Sequence, residues 1–336
     1  MSERILNIEN LHVSFDTYAG EVRAVRGANF HVDASEILAV VGESGCGKSV
    51  SAQTIMRLNP EPPCRIKEGE IDLCGINIVS ASETEMQKIR GRLVSMIFQD
   101  PMTYLNPTMK IGRQLTEAIE IHNKITRKEA KEEALRLMKM VQIPNPEMRI
   151  NQYPHQFSGG MRQRVMIAMA LSCQPKLLIA DEPTTALDVT IQAQIIDLLK
   201  QINDSEGTAI ILITHDLGVV ASMADRINVM YAGRVMEAGS ADDIFYRAAH
   251  PYTQGLLESL PTITTERDKK LIAIPGTPPN LLNPLVGCEF APRCRYAMKV
   301  CQEEQPPHFD LGSGHSASCW LLHPDCPKSA KNKENE

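Results

Sequence analysis

The sequence has 336 residues and few aromatic side chains, which make up 4% of it and include a single Trp. Its core must therefore depend on Ile, Leu, Val, Ala and sixteen Met. No apolar run approaches the roughly 18 residues that a membrane-spanning helix requires; the longest are pieces such as 165–171 and 209–213. The first ten residues, MSERILNIEN, are too polar for a secretory signal. These absences indicate a soluble, cytosol-facing globular protein.

An excess of positive charge is also missing. The formal net charge is -6 at pH 7, which argues against a surface built to cover nucleic-acid phosphates. Hydrophobic residues are 43% and charged residues 23%, as in a globular chain rather than a disordered one. At ~150 residues per domain, the length predicts about two domains.

Residues 1–250 predict an α/β domain in which strands alternate with helices. Apolar runs of strand length at 37–41, 177–180 and 210–213 are typical of a sheet buried on both faces, although periodicity alone does not separate them from buried helix. The stretch of about 100–165 differs, because Thr126-Arg-Lys-Glu129 fits a capping box and an apolar stripe follows it. We expect a helical subdomain there.

Residues 251–336 have a different composition. Eleven of the 21 prolines fall there, so long helices are not expected. The segment ends in the polar tail KSAKNKENE, for which we predict disorder. Five of the nine cysteines also lie in this part: Cys288, Cys294, Cys301, Cys319 and Cys326. We expect a small accessory domain, rich in Cys and Pro, after residue 250.

The segment Gly42-Glu-Ser-Gly-Cys-Gly-Lys48-Ser49 follows an apolar strand and opens a helical pattern. It matches the phosphate-binding loop G-x-x-x-x-G-K-[ST] at every fixed position. Glycines permit positive φ, so the backbone N–H groups can turn inward around an anion. Lys48 then reaches the β- and γ-phosphate oxygens, and Ser49 ligates Mg²⁺. The predicted nucleotide contacts from this loop are Gly42, Ser44, Gly45, Cys46, Gly47, Lys48, Ser49 and Val50.

Two carboxylates end the apolar strand at 177–180. The carboxyl ends of parallel strands deliver side chains to the ligand crevice of an α/β sheet. There Asp181 is placed to hold Mg²⁺, and Glu182 to orient the attacking water or accept its proton. Such a strand end is by itself most often an ordinary loop start, but together with a phosphate loop it predicts a magnesium–nucleotide site.

Three further segments narrow the prediction. Ser158-Gly159-Gly160 precedes a helical run, so its hydroxyl and N–H groups form a second anion-binding terminus. His215 follows the strand at 210–213, where an imidazole can reach a γ-phosphate. Gln99 lies between the first α/β section and the helical stretch, where its amide can touch the metal.

This set of motifs resembles the ATP-binding subunits of ABC transporters over about residues 5–250. The segments that carry the resemblance are, in order, the phosphate loop, Gln99, Ser158-Gly-Gly, Asp181-Glu182, Leu187-Asp188 and His215. One departure is visible, because the signature that reads LSGGQ in the typical member is here Phe157-Ser-Gly-Gly-Met161. The resemblance implies a P-loop nucleotide-binding domain, with a RecA-like core and a helical subdomain, that works as a head-to-tail dimer.

The resemblance also implies residue roles. Ser158, Gly159 and Gly160 meet the ATP held by the partner, Glu182 is the hydrolytic base, and His215 contacts the γ-phosphate. The implied magnesium ligands are Ser49, Gln99 and Asp181. An aromatic residue upstream of the phosphate loop stacks on adenine in this family, and the candidates here are Phe15 and then Tyr18; simple packing of Phe15 within a strand is the equally weighted alternative.

The spacing of the cysteines leaves their role open. Intervals of five, six and seventeen residues from Cys288 to Cys319 fit neither paired zinc ligands nor common ferredoxin patterns. ATP chemistry in a reducing compartment disfavours disulfides, so buried thiols without a ligand are the simplest interpretation.

The residues around these cysteines indicate a more specific role for them. Residues 278–294 and His250-Pro-Tyr-Thr253 are similar to the C-terminal extension of dipeptide and oligopeptide permease ATPases. Some members of the D-subunit type carry a [4Fe–4S] cluster in this region. The resemblance thereby implies four cluster ligands, with Cys326 to spare: Cys288, Cys294, Cys301 and Cys319.

These expectations together describe an ATP-hydrolysing subunit of an importer for dipeptides or oligopeptides, with ATP and Mg²⁺ as cofactors. The implied partners are a second ABC ATPase subunit, two transmembrane permease subunits and an extracytoplasmic peptide-binding protein, with no nucleic acid. The implied location is the cytoplasmic face of the inner membrane. The alternatives are a nickel or glycoside importer, a non-transport ABC ATPase acting on ribosomes or DNA, and a redox-sensing regulatory module.

Overall fold

A computed structural model describes residues 3–123, 125–185, 187–260 and 273–327. The disorder expected for the tail 328–336 concerns residues outside these ranges. The strands are β1 (Arg4–Thr17), β2 (Gly20–Asp33), β3 (Ile37–Val41), β4 (Cys64–Leu73), β5 (Ile76–Asn77), β6 (Val94–Ile97), β7 (Leu177–Asp181), β8 (Ala209–Ile213), β9 (Arg226–Tyr231), β10 (Arg234–Ser240), β11 (Phe309–Gly312) and β12 (His315–Ala317). The helices are α1 (Lys48–Ile55), α2 (Glu83–Ile89), α3 (Pro101–Tyr104), α4 (Ile111–His122), α5 (Arg127–Met140), α6 (Pro146–Arg149), α7 (Gly159–Ala170), α8 (Val189–Glu206), α9 (Leu217–Met223), α10 (Ala241–Tyr246), α11 (Pro251–Glu258) and α12 (Lys299–Glu303).

The first 33 residues differ from the expected alternation of strands with helices. β1 pairs antiparallel with β2 on one side and with β4 on the other, in a four-stranded sheet ordered β2-β1-β4-β5. The apolar residues Leu11 and Val13 of β1 are fully buried in a cluster that this sheet shares with the main sheet. Period-two alternation of apolar and polar residues, broken by bulges along β1, is the signal that distinguishes this half-buried sheet from the fully apolar strands.

The main sheet has eight strands in the order β11-β12-β10-β9-β3-β8-β7-β6. All five residues of β3 are buried, and this strand pairs in parallel with both β8 and β9. The strands expected at 37–41, 177–180 and 210–213 are confirmed as β3, β7 and β8. Because these strands are parallel neighbours, the segments that follow them emerge at one edge of the sheet.

The stretch of about 100–165 is helical, as expected, from α3 to the start of α7. The capping box at the start of α5 is confirmed: the N–H of Glu129 donates to Thr126 Oγ1 at 3.3 Å, and the N–H of Thr126 donates to Glu129 Oε2 at 2.7 Å. The expected apolar stripe of α5 is buried, with Ala130, Ala134 and Met138 in an extensive apolar cluster.

The part of the chain after residue 250 is joined to the main sheet. The hairpin of β11 and β12 extends that sheet at β10, where Glu237 lies opposite Ala317. An aromatic group unites the two parts as well, because the ring centroid of Tyr231 lies 4.6 Å from that of Tyr252 and 5.4 Å from that of Phe290. In the described ranges no helix is long and apolar enough to span a membrane.

Glu237 is the polar centre of this junction. It is fully buried, and its carboxylate accepts the backbone N–H groups of Ala249 (2.6 Å) and His250 (3.0 Å). His315 Nε2 of β12 lies 2.8 Å from the same carboxylate. One side chain therefore connects β10, the entry to α11 and the C-terminal hairpin.

We expect Glu237→Ala to lower the free energy of unfolding by about 2–4 kcal/mol, because buried donors lose their acceptor. Chemical denaturation of the full chain measures this. Glu303→Ala is the matched control: its side chain is exposed and pairs with Lys299 at 3.6 Å, so its cost is under about 0.5 kcal/mol. Equal costs for the two variants would contradict the assignment.

Candidate active site

The phosphate loop connects β3 to α1 and has a shape that excludes side chains at two positions. Gly42 has a φ of 147°, and a Cβ there would lie 2.1 Å from the carbonyl oxygen of Met230. Gly47 has a φ of 100°, and its Cβ would lie 2.5 Å from the carbonyl oxygen of Ala24. Both positions therefore require glycine for their conformation and for the close approach of neighbouring backbone.

Lys48 is anchored to this loop. It is 6% exposed, and its Nζ donates to the carbonyl oxygens of Gly42 at 2.7 Å and Glu43 at 2.9 Å. Cys46 is buried beside it, and burial raises the pKa of that thiol. The loop therefore holds the positive charge of Lys48 at the start of α1. The N-terminus of a helix also attracts anions, so both features favour a phosphate at this point.

Ser49 and Asp181 meet across the sheet edge. The hydroxyl of Ser49 donates to Asp181 Oδ1 at 2.9 Å, although 132 residues separate them in the chain. Asp181 is 5% exposed, and this burial raises the pKa of its carboxyl, with the neighbouring charge of Glu182 acting in the same direction. A hydroxyl and a carboxylate side by side form the kind of oxygen donor pair that fits Mg²⁺.

Glu182 is the centre of a hydrogen-bonded group. Its Oε2 accepts from Gln99 Nε2 and from Thr185 Oγ1, both at 2.9 Å, and His215 Nδ1 lies 3.3 Å from its Oε1. Its backbone φ is 46°, in the left-handed region that costs a non-glycine residue about 1–3 kcal/mol. A hydrogen bond of 2.8 Å from its N–H to Ile213 helps to hold this conformation.

The structure thus brings together most of the expected site residues. Gln99 lies on Glu182, and its role as a magnesium ligand stays a prediction. Thr185 is a further contact that motif reasoning missed, although it stands three residues after Glu182.

The signature makes its contacts with the start of α8. Ser158 caps α7 by accepting the N–H of Met161 at 3.4 Å. A Cβ on Gly160 would lie 2.7 Å from Ile191 Cγ2, so the first turn of α7 packs directly against α8. Asp188 caps α8 by accepting the N–H of Ile191 at 3.0 Å. The Leu187-Asp188 motif therefore supports the helix on which the signature rests.

The two adenine candidates have different surroundings. Phe15 is half-buried, lies opposite Val22 and Cys64 in the antiparallel sheet, and packs against the cluster beneath it. Tyr18 is fully exposed between β1 and β2. The packing observed for Phe15 agrees with the alternative that this side chain packs within a strand. Its contact with adenine stays a prediction.

Residues of the C-terminal segment also reach the phosphate loop, and motif reasoning missed them. Both terminal nitrogens of Arg293 donate to the carboxylate of Glu43, at 2.5 and 2.9 Å. The hydroxyl of Tyr252 accepts the N–H of Glu43 at 2.9 Å. The partners are 209 and 250 residues apart, and no local pattern predicts contacts of that kind.

All nine cysteines lie in the described ranges, and none of them forms a disulfide. Burial raises the pKa of Cys288 and that of Cys319 to about 12. Charge on Cys288, Cys294 or Cys301 would raise the pKa of Cys319 further. The backbone N–H of Cys288 donates to the carbonyl oxygen of Cys301 at 2.7 Å. Among the described residues, no three or more His, Cys, Asp or Glu side chains are arranged so as to hold a metal ion.

This fold and site define an ATP-binding cassette. The sequence profile of the family "ABC transporter" matches residues 13–185, and that of "Oligopeptide/dipeptide transporter, C-terminal region" matches residues 236–301. The chain belongs to the ABC transporter family.

Similar proteins extend over nearly the whole chain. It is 58% identical over 325 residues to the oligopeptide transport ATP-binding protein OppD of Bacillus subtilis (strain 168), covering 97% of this chain and 91% of that protein. It is 52% identical over 327 residues to the dipeptide transport ATP-binding protein DppD of Lactococcus lactis subsp. cremoris (strain MG1363), with coverages of 97% and 93%. The dimeric structure of MJ0796, a bacterial ABC transporter cassette, is similar at a TM-score of 0.64 and 27% identity, covering 70% of this chain and 99% of that one.

The burial of Asp181 generates a prediction about pH. Because its pKa is raised, the charged carboxylate weakens the folded state at neutral pH, and stability recovers as the pH falls through the folded-state pKa. We expect Asp181→Asn to melt at a higher temperature than the wild type at neutral pH, without nucleotide. The difference should vanish in acid, where Asp181 is also neutral. Thermal unfolding across pH measures this.

Asp243 is the matched control with the opposite sign. Hydrogen bonds from Ser240 and Arg247 lower the pKa of Asp243 to about 2. Its charge therefore stabilises the fold above its unfolded-state pKa, and this stabilisation is lost as the pH falls toward 2. Asp243→Asn should melt at a lower temperature at neutral pH. A lower melting temperature for both variants would contradict the burial argument for Asp181.

Proposed function

We propose that this chain is the ATP-hydrolysing subunit of an importer that takes up dipeptides or oligopeptides. The observation that carries the catalytic part is the position of Glu182, held by Gln99 and Thr185 beside the Ser49–Asp181 pair. The peptide substrate is supported by relatives whose names specify oligopeptide or dipeptide transport. It is also supported by the match of residues 236–301 to the C-terminal region of such transporters.

The residues of the site divide the work of hydrolysis. Lys48 and the backbone N–H groups of the phosphate loop bind the phosphates, while Ser49 and Asp181 hold Mg²⁺. When bound, Mg²⁺ neutralises charge on the β- and γ-phosphate oxygens. Glu182 accepts the proton of the attacking water, and its hydrogen bonds fix the carboxylate in one orientation. His215 contacts the γ-phosphate from the neighbouring strand end.

The signature belongs to the ATP site of a second subunit. In this arrangement Ser158, Gly159 and Gly160 close over the nucleotide held by the partner's phosphate loop, in a heterodimer with a second ABC ATPase. The similar cassette MJ0796 is a dimer, and a second structure of it is a post-hydrolysis dimer bound to ADP and Pi. Ser158 caps the N-terminus of the twelve-residue helix α7, and a helix N-terminus favours contact with a phosphate.

The remaining partners supply the path through the membrane. Two transmembrane permease subunits and an extracytoplasmic peptide-binding protein complete the importer, and the chain lies on the cytoplasmic face of the inner membrane. The helical subdomain has exposed apolar side chains for contact with a permease, among them Tyr104, Ile121 and Met148. Co-purification of permease and binding protein tests this assembly, and a nickel- or glycoside-binding protein in their place would identify the alternative importers.

Replacing the proposed base tests the catalytic assignment. We expect Glu182→Gln to lower turnover of the assembled transporter by about 100-fold or more, since the amide cannot accept the proton. Affinity for ATP should change by less than about threefold, because the phosphate loop is untouched. Phosphate release and equilibrium ATP binding measure the two quantities. Glu147→Gln, on an exposed surface pair with Lys139, is the control, and turnover near the wild-type value for Glu182→Gln would refute the role of Glu182.

We infer that the C-terminal segment binds a [4Fe–4S] cluster through Cys288, Cys294, Cys301 and Cys319. The support is the resemblance of this segment to the C-terminal region of peptide transporters and the presence of four cysteines outside any disulfide, which have the ligand chemistry of such a cluster. The described side chains are not grouped as a metal site, so cluster binding would have to draw the four thiols together. The raised pKa values of Cys288 and Cys319 mean that these thiols are neutral at pH 7 and would lose their protons on binding. A bound cluster supplies a redox-active iron centre.

Anaerobic purification tests the cluster directly. We expect about four irons and four sulfides per chain, with broad visible absorption that bleaches on reduction. Cys301→Ser should lose most of the iron because a ligand is gone, whereas Cys326→Ser should keep it. Colourless protein, or protein containing only zinc, would exclude the cluster.

A further inference from the structure

Glu43, the second residue of the phosphate loop, is held on two sides by residues far along the chain. Its carboxylate accepts two hydrogen bonds from Arg293, at 2.5 and 2.9 Å. Its backbone N–H donates to the hydroxyl of Tyr252 at 2.9 Å. The carbonyl oxygen of the same residue accepts from Lys48 at 2.9 Å. The orientation of Glu43 is thereby coupled to the position of the phosphate-binding cation.

Arg293 is itself fixed in place. Its side chain is 4% exposed, and its Nε donates to the carbonyl oxygen of Pro275 at 2.8 Å. The guanidinium lies over the ring of Tyr231 at 5.7 Å and that of Phe290 at 5.9 Å. A planar cation in contact with two aromatic rings, with a bidentate carboxylate partner, has little freedom to move. Arg293 therefore restrains Glu43 as a rigid anchor does, unlike a surface ion pair.

A second ion pair supports the other end of the loop. Glu289, with a side chain that is 1% exposed, accepts from Arg26 at 2.9 Å. The backbone N–H of Arg26 donates to the carbonyl oxygen of Gly233 at 2.8 Å, and the N–H of Gly233 donates to that of Cys46 at 2.9 Å. Glu289 and Arg293 both belong to the short segment 288–294, which begins and ends with a cysteine.

We propose that Arg293 is a positioning residue for ATP binding: through Glu43 it holds the phosphate loop in the conformation that receives the nucleotide, and segment 288–294 thereby sets the affinity of the subunit for ATP. Two physical effects act in the same direction. A glycine-rich loop is flexible, so fixing it beforehand lowers the entropic cost of binding. Arg293 also neutralises a carboxylate that would otherwise repel the phosphates of ATP.

The proposal makes a specific kinetic prediction for the complete transporter. We expect Arg293→Gln to raise KM and Kd for ATP by about tenfold and to leave kcat at saturating ATP within about twofold, since Glu182 and Asp181 are untouched. Arg293→Lys keeps the charge and one hydrogen bond, so it should recover most of the affinity. Glu43→Gln loses the anchor but also removes the carboxylate that repels phosphate, so its KM should rise less than that of Arg293→Gln, and the double variant should show less than the product of the two single effects.

Arg295→Gln is the matched control, because Arg295 lies in the same part of the chain but pairs with exposed Glu258. Its KM should equal that of the wild type. An unchanged KM in Arg293→Gln and Glu43→Gln would overturn the proposal, as would an equal change in Arg295→Gln or a loss of kcat without a change in KM. If Arg293→Gln fails to assemble, Glu43→Gln tests the same contact from the loop side.

The inference rests on ATP binding by this loop and is independent of any metal at the cysteines. Its failure is distinguishable from failure of the proposed ATPase function. In the first case the wild type and all variants hydrolyse ATP with one KM; in the second the wild type itself shows no turnover.

Discussion

The active site depends on the register of three parallel strands. Ile213 of β8 lies opposite Val40 of β3 on one side and opposite Asp181 of β7 on the other. One row across the sheet thus sets the level at which all three strands end. The phosphate loop, the carboxylates and His215 emerge side by side because the hydrophobic packing of fully buried strands fixes this register. Residues far apart in sequence then meet within hydrogen-bond distance.

The edge of the sheet bears costs that its interior does not. Asp181 is a buried carboxylate, and Glu182 has a left-handed backbone. Each feature destabilises the folded chain taken alone. The apolar burial of the strands and of the clusters on both sides of the sheet offsets these costs. The site residues therefore lie where burial and backbone conformation are locally unfavourable, and the surrounding apolar packing compensates for this cost.

How much could be predicted from the sequence depends on how far apart along the chain the interacting residues lie. The sequence predicts the site residues Lys48, Ser49, Asp181 and Glu182, because short motifs follow apolar strands and parallel strands share an edge. The capping box of α5 could also be predicted, because its two residues lie three positions apart in the chain. The antiparallel pairing of β1 with β2 depends on a weaker period-two pattern interrupted by bulges.

The contacts of Arg293 and Tyr252 with Glu43 depend on tertiary packing between segments more than 200 residues apart. These contacts connect the cassette to the C-terminal segment, as do the shared sheet and Glu237. Coupling of this kind is reciprocal, because linkage requires each site to affect the other by the same free energy. If segment 288–294 sets the affinity for ATP, then ATP bound at the loop must stabilise that segment equally. The stability of the segment between Cys288 and Cys294 would then rise and fall with each cycle of nucleotide binding and release.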